Sequence, residues 1–271
     1  MRYVEYLPSP RLARVVERFW LLEGLATGAP DAVIPDGRME LIFHYRGAFW
    51  RHGAGCALSE GEGPAPLRQP RSLLVGQMMG PTMLAPEGDV GVAAIRLRPA
   101  APRTLLGFSM RDAADRFIDL SSIFPSVTRL QEQLAEARDD RGRITALERW
   151  ILDSVREASP RIEVEAAVRA IVATDGRATV DALADLTGLG LRQLERQFHD
   201  AVGLAPKTFS RIIRLQAALH LIRDGRALSD VALACGFYDQ AHMTRDFRQL
   251  ASMSPGAWQS HAGELAGLFV A

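Results

Sequence analysis

One stretch of this chain occurs twice, and it constrains the fold more than any other feature. LADLTGLGLRQLERQFHDAVGLAP runs from Leu183 to Pro206, and VALACGFYDQAHMTRDFRQLASMSP from Val231 to Pro255. Each copy sets a small residue (Ala184, Ala232) four positions before a glycine (Gly188, Gly236) and follows the glycine with an apolar residue (Leu189, Phe237). A helical pattern then ends on phenylalanine (Phe198, Phe247), with proline eight positions later (Pro206, Pro255). The small residue lets two helices cross closely, and glycine admits the left-handed backbone of a tight turn. The spacing predicts two helix-turn-helix units.

The apolar residue after each turn and the phenylalanine anchor the second helix of each unit, which leaves its opposite face exposed. Arg192 and Arg196 lie four apart on that face in the first copy, with Glu195 beside them. Gln240, His242 and Arg245 take the corresponding face in the second. Arginine and glutamine match guanine and adenine edges in the major groove, at about 1–3 kcal/mol for each good pair. On an isolated helix such arginines are ordinarily just solvated; the duplicated scaffold is what makes them candidates for DNA contact. His242 is open to either base contact or helix packing. Between the copies, PKTFSRIIRLQAALHLIRDG (206–225) carries Phe209, Ile212, Ile213, Leu219 and Ile222 on one face. It reads as a long helix holding the two units apart, so that they reach successive major-groove segments about 34 Å apart.

These motifs resemble the AraC/XylS family of transcription regulators over roughly residues 165 to 258, through LADLTGLGLRQLERQF, the linker pattern Arg214 to Ala218, and CGFYDQAHMTRDFRQLASMSP. The resemblance implies base contacts by Arg192, Glu195 and Arg196 in the first unit and by Gln240, His242 and Arg245 in the second. The sequence departs from the family pattern at Ser252, where glycine is common, which bears on the turn after the second recognition helix. Glu195 is open to accepting from cytosine N4 or to holding Arg192 or Arg196 in place.

The first hundred residues read differently. Short apolar runs cut by glycine and proline at 32–37, 38–47, 71–80 and 89–99 predict strands, in a strand region of about 30–100. In RMELIFHYR, Met39, Leu41, Phe43 and Tyr45 alternate with Arg38, Glu40, Ile42, His44 and Arg46, so one face is buried and the other is mostly polar. Asp36, Arg38, Glu40, His44 and Arg96 are candidates for binding an effector; turn capping and salt bridges around IPDGRMEL account for them equally well. From about 103 the spacing becomes helical, through Leu130, Leu134, Leu147, Ile151, Leu152 and Val155, to about 158. Ser159 and Pro160 read as the N-cap and first position of a further helix. This part is similar to the sensor domains of one AraC-like subgroup through IPDGRMELIFHY, LVGQMMGP and IRLRPAA. That similarity implies a cupin-like β-barrel or sandwich with flanking helices used for dimerisation. The expected architecture is α+β: a sensor or dimerisation domain over 1–158 and an all-helical domain of two helix-turn-helix units joined by a long helix over 159–271.

Charge argues against a bulk nucleic-acid binder, since 32 basic residues balance 32 acidic ones, and 12 balance 12 after residue 160. Lys207 is the only lysine, however, so the basic residues are almost all arginine, the side chain suited to bidentate phosphate and guanine contact. From Gly188 to Gln216 five basic residues (Arg192, Arg196, Lys207, Arg211, Arg214) face two acidic ones (Glu195, Asp200). Cys56 and Cys235 lie far apart, without metal-ligand spacing. Cys235 reads as a small core residue, and Cys56 carries no reading. His44 and His52 lack the remaining ligands of a cupin metal site, and GLGLRQL has no preceding strand to make it a dinucleotide loop. No catalytic residue, metal site or cofactor is expected. The N-terminus has no apolar signal core and no stretch is long enough to span a membrane, so a cytoplasmic protein is expected. The reading is a sequence-specific regulator that binds a double-stranded DNA operator, as a homodimer, with a small-molecule effector and RNA polymerase as further candidate partners. The alternatives are a DNA-binding protein whose first domain only dimerises, or a cupin enzyme or alkyltransferase fused to such a module. The alkyltransferase would need clustered cysteines that the chain lacks.

Overall fold

In the N-terminal half, apolar residues at alternate positions of long strands leave two faces to be covered. The computed structural model describes residues 1–26, 28–52, 65–154 and 161–261. Among these residues eight antiparallel strands form one sheet: β1 (Arg2–Tyr6), β2 (Val16–Leu25), β3 (Asp31–Val33), β4 (Met39–His52), β5 (Leu67–Arg68), β6 (Ser72–Val75), β7 (Thr82–Leu97) and β8 (Phe117–Asp119). The order is β1-β2-β7-β4-β6-β8, with β3 added to β7 and β5 to β4. Strands thus begin at Arg2 and recur at Phe117, beyond the span of 30–100 read from sequence. β1 and β8 are short and lack a long run of alternation, so they form by edge pairing and not by their own pattern.

Met39, Leu41, Phe43 and Tyr45 join Phe19, Leu21, Ala93, Ile95 and Leu97 on one face. Helices α2 (Val127–Glu136) and α3 (Asp140–Ser154) cover it with Leu130, Leu134, Leu147, Trp150 and Ile151. Burial of each such large side chain contributes about 1.5–3 kcal/mol. The opposite face is buried as well: Trp20, Leu22, Val90, Val92 and Ala94 pack there, and Glu40, His44 and Arg96 lie among the buried polar residues. The even-numbered face of β4 is therefore buried at Glu40 and His44 and half-buried at Ile42, and meets water at Arg46. Residues 103–116, expected to be helical, give only the short α1 (Pro102–Leu106) and a 3-10 turn over Met110–Ala113. Gly107, at φ 79°, stops α1 in the left-handed conformation.

Among the described residues seven helices follow: α4 (Ile162–Ala173), α5 (Val180–Thr187), α6 (Leu191–Val202), α7 (Pro206–Arg223), α8 (Leu228–Ala234), α9 (Gln240–Ala251) and α10 (Pro255–His261). The mixed α+β architecture is as expected, with an antiparallel sheet half followed by a helical half. Arg161 stands in the N-cap position of α4; Ser159 and Pro160, read as that cap, lie outside the described residues, as does Cys56. Phe198, Phe209, Ile212, Val231, Phe247 and Trp258 centre one helical core, which also takes in Ile34 from the N-terminal half. Among the described residues no helix is long and apolar enough to cross a membrane.

Candidate nucleic-acid interface

Each duplicated unit folds as its spacing requires. Thr179 caps α5 by accepting from the Ala182 N–H at 3.2 Å, and Gly188 ends it at φ 67°. Gly236 makes the equivalent turn between α8 and α9 at φ 71°. A side chain would be strained at either φ, which explains why both copies hold glycine there. Leu194, Phe198, Ala201 and Val202 bury the inner side of α6, and Phe198 meets Phe209 of α7 edge-on at 5.7 Å. Arg192, Glu195 and Arg196 are exposed on the outer side. Among the described residues none of the three forms an ion pair, so Glu195 does not hold either arginine.

In the second unit, Asp239 caps α9 by accepting from the His242 N–H at 2.6 Å. Gln240 and Arg245 are exposed, while Met243, Phe247 and Leu250 are buried on the inner side. His242 is half-buried: its ring stands edge-on to Phe237 at 5.4 Å and its Nδ1 accepts from the Tyr238 N–H at 3.4 Å. It thus braces the turn that delivers α9. Sequence reasoning passed over Tyr238, which stands 92% exposed beside the first turn of α9. An aromatic residue just past a turn glycine was the available signal. Ser252 ends α9 in the left-handed conformation at φ 55°, where the first copy has Gly203 at φ 89°.

The local excess of positive charge is smaller than sequence counting suggests. Arg211 Nη2 donates to Asp246 Oδ1 of α9 at 2.8 Å and to Gln249 Oε1 at 2.5 Å. Arg214 donates to the Gly176 carbonyl at 2.8 Å and lies over the Phe237 ring at 5.5 Å. Both arginines brace the scaffold, leaving Arg192, Arg196 and Lys207 outward. Cys235 is buried in the helical core, and burial pushes its thiol up, away from the reactive thiolate.

The five candidate effector residues fall into two groups. Asp36 Oδ1 accepts from the Arg38 N–H at 2.9 Å, an Asx turn, and Arg38 pairs with Glu17 at 2.8 Å. Asp36 and Arg38 also line a cavity of about 150 Å3 with Asp175, Gln216 and His220 of the helical half. Glu40, His44 and Arg96 lie deeper. Arg96, 2% exposed, donates from Nε to Glu40 Oε1 at 2.9 Å, and Trp20 Nε1 donates to the same oxygen at 3.0 Å. Burial raises the Glu40 carboxyl pKa, against the pull of Arg96. Arg96 Nη2, 3.9 Å from Asp36, has no hydrogen-bond partner. His44 packs on the Phe49 ring at 4.9 Å with Nε2 3.0 Å from Gln69 Oε1, and burial pushes its pKa down to about 4.

The segment carrying Asp36 reaches the linker helix itself. Gln216 of α7 donates from Nε2 to the Pro35 carbonyl at 2.7 Å, and a Cβ on Gly37 would lie 3.0 Å from Phe209 Cε2. At the other end of the contact, Arg103 pairs with Asp200 of α6 at 2.6 Å.

Two family models match: a helix-turn-helix domain over residues 183–261, and a domain of unknown function (DUF6597) over 4–119. The HTH-type transcriptional activator RhaS of Escherichia coli O1:K1 / APEC is 41% identical over 76 residues, 28% of this chain. The match spans 27% of the length of that relative. A probable AraC family transcriptional regulator from Rhodopseudomonas palustris is 30% identical, covering 38% of this chain and 98% of that one, with a TM-score of 0.35. ToxT from Vibrio cholerae is 9% identical over 89% of this chain and 98% of its own, with a TM-score of 0.48.

Proposed function

The chain belongs to the AraC/XylS family of transcription regulators, and from that premise we propose that it binds double-stranded DNA at a bipartite operator and regulates transcription there. One observation carries this: two helix-turn-helix units are anchored to a shared core through α7, and each turns an uncommitted polar face outward. Arg192, Glu195 and Arg196 form that face on α6, and Gln240 and Arg245 on α9, with His242 positioning the latter. Selecting duplexes from a randomised pool with the full chain yields a two-part motif. Arg196→Ala erases preference for one part and Arg245→Ala for the other; unchanged footprints for both variants would overturn this assignment of the reading faces.

The N-terminal domain, taken as 1–158 against 159–271, acts in this reading as the sensor. The orphaned Arg96 Nη2 supports a ligand that offers an acceptor, and the docking of segment 34–37 on α7 supports transmission to the DNA-binding half. Asp36, Arg38, Glu40, His44 and Arg96 are its proposed contacts. The same reading takes the protein as a cytoplasmic homodimer that contacts RNA polymerase. A thermal-shift screen of the full chain against small metabolites tests the sensor: a saturating ligand raises the melting temperature. If none does, the domain is a dimeriser only.

A further inference from the structure

The outer face of α6 continues into a cleft of about 320 Å3 shared with the N-terminal half. Arg196, Gln197, His199 and Asp200 of α6 line one side; Arg111, from the 3-10 turn, and Arg161, ahead of α4, line the rest. Three arginines from three separate segments therefore line one concavity. Asp200 is already occupied by Arg103, and among the described residues Arg111, Arg161 and Arg196 form no ion pair. His199 is pushed below its ordinary pKa, first by burial and then by the charge of Arg111. Three uncompensated like charges around one concavity call for an external anion, and the planar guanidinium fork matches phosphate oxygens in particular.

The position of the cleft says where that phosphate comes from. Arg196 belongs both to the cleft and to the face that carries Arg192 one turn earlier. A duplex seated on that face would bring its sugar-phosphate backbone against the cleft mouth. The helical half supplies no net positive charge of its own, with 12 basic and 12 acidic residues after position 160, so backbone contacts must come from individually placed arginines. We propose that Arg111 and Arg161 grip backbone phosphate beside the major groove entered by α6, so that the N-terminal half forms part of the DNA interface. This rests on the DNA-binding reading above.

The test follows binding of a random-sequence duplex to the full chain by fluorescence anisotropy across a salt series. Replacing both residues (Arg111→Ala with Arg161→Ala) lowers the slope of log K against log salt by about 1.8, since each phosphate contact contributes about 0.9. Lysine at both positions restores it. Removing two exposed arginines instead, one on α2 and one just beyond it (Arg129→Ala with Arg138→Ala), leaves it unchanged. An unchanged slope in the first variant, or an equal fall in this control variant, overturns the proposal. So does an unchanged slope accompanied by calorimetric binding of inorganic phosphate that the first variant loses, which would assign the cleft to a free phosphate. Failure of the unaltered chain to bind any duplex would remove the parent reading; an unchanged slope removes this inference alone.

Discussion

Glu40 and Arg96 stand directly opposite each other on β4 and β7, and their side chains pair at 2.9 Å within the buried second face of the sheet. Each charge is there on account of the other. Replacing Arg96 with methionine leaves a buried carboxylate that still accepts from the Trp20 indole N–H but has lost its countercharge, a loss of about 3–5 kcal/mol at neutral pH. Glu40 is already raised by burial, and without Arg96 it rises further. An acid raised in the folded state favours folding below its unfolded pKa and loses that contribution as pH climbs through the folded value. Urea midpoints of Arg96→Met should therefore fall from acid to neutral pH, and adding Glu40→Gln should recover most of the loss. A variant as stable as the parent at neutral pH would show that the pair does not matter.

His44 gives the opposite pH dependence. Its folded pKa of about 4 lies below the ordinary histidine value of about 6.5, so between these the unfolded chain binds a proton that the folded chain refuses. Stability is lost as pH falls through that window, by about 2 kcal/mol between pH 7 and pH 5 from this residue alone. His44→Gln, which keeps a donor for Gln69, should show a pH 7 to pH 5 loss smaller by that amount in chemical denaturation.

Ser252 holds the left-handed position that Gly203 holds in the first copy, each five residues past its phenylalanine. A non-glycine residue there costs about 1–2 kcal/mol, partly offset because glycine loses more entropy on folding. Ser252→Gly should raise stability by about 0.5–1 kcal/mol in denaturant unfolding and leave DNA preference unchanged. A neutral or destabilising result would mean that the serine side chain compensates for the strain.

The helical half was legible because its signals are local. Glycines 188 and 236, the alanines before them and the phenylalanines after them each act within one turn or one crossing, and a duplicated pattern reports the same geometry twice. The strand alternation of β4 was legible for the same reason, as one face of a pleat. What the sequence hid is long-range pairing. Nothing near Arg211 announces Asp246, and nothing near Arg196 announces Arg111, because those neighbours are set by how the two halves pack. What buries the polar face of β4 was hidden for a related reason: the cross-strand partner that lets Glu40 be buried lies 56 residues away.

That packing is itself open to test at Gly37. The residue sits at φ 77° where segment 34–37 meets α7, with Phe209 and Ile213 close against the place a side chain would occupy. Valine at this position meets both the strained backbone and the crowded helix, so the segment must lift away from α7. Lifting it breaks the bond from Gln216 to the Pro35 carbonyl and leaves buried polar groups unpaired, at about 1–3 kcal/mol. Since α7 joins the two helix-turn-helix units, loosening there is the change that a sensor would exploit. Deuterium uptake should rise in α7 of Gly37→Val and stay constant in β7, whose register does not depend on the contact. Protection of α7 equal to that of the parent chain would mean that the docked segment does not restrain the linker helix, and would leave the two halves without this route of communication.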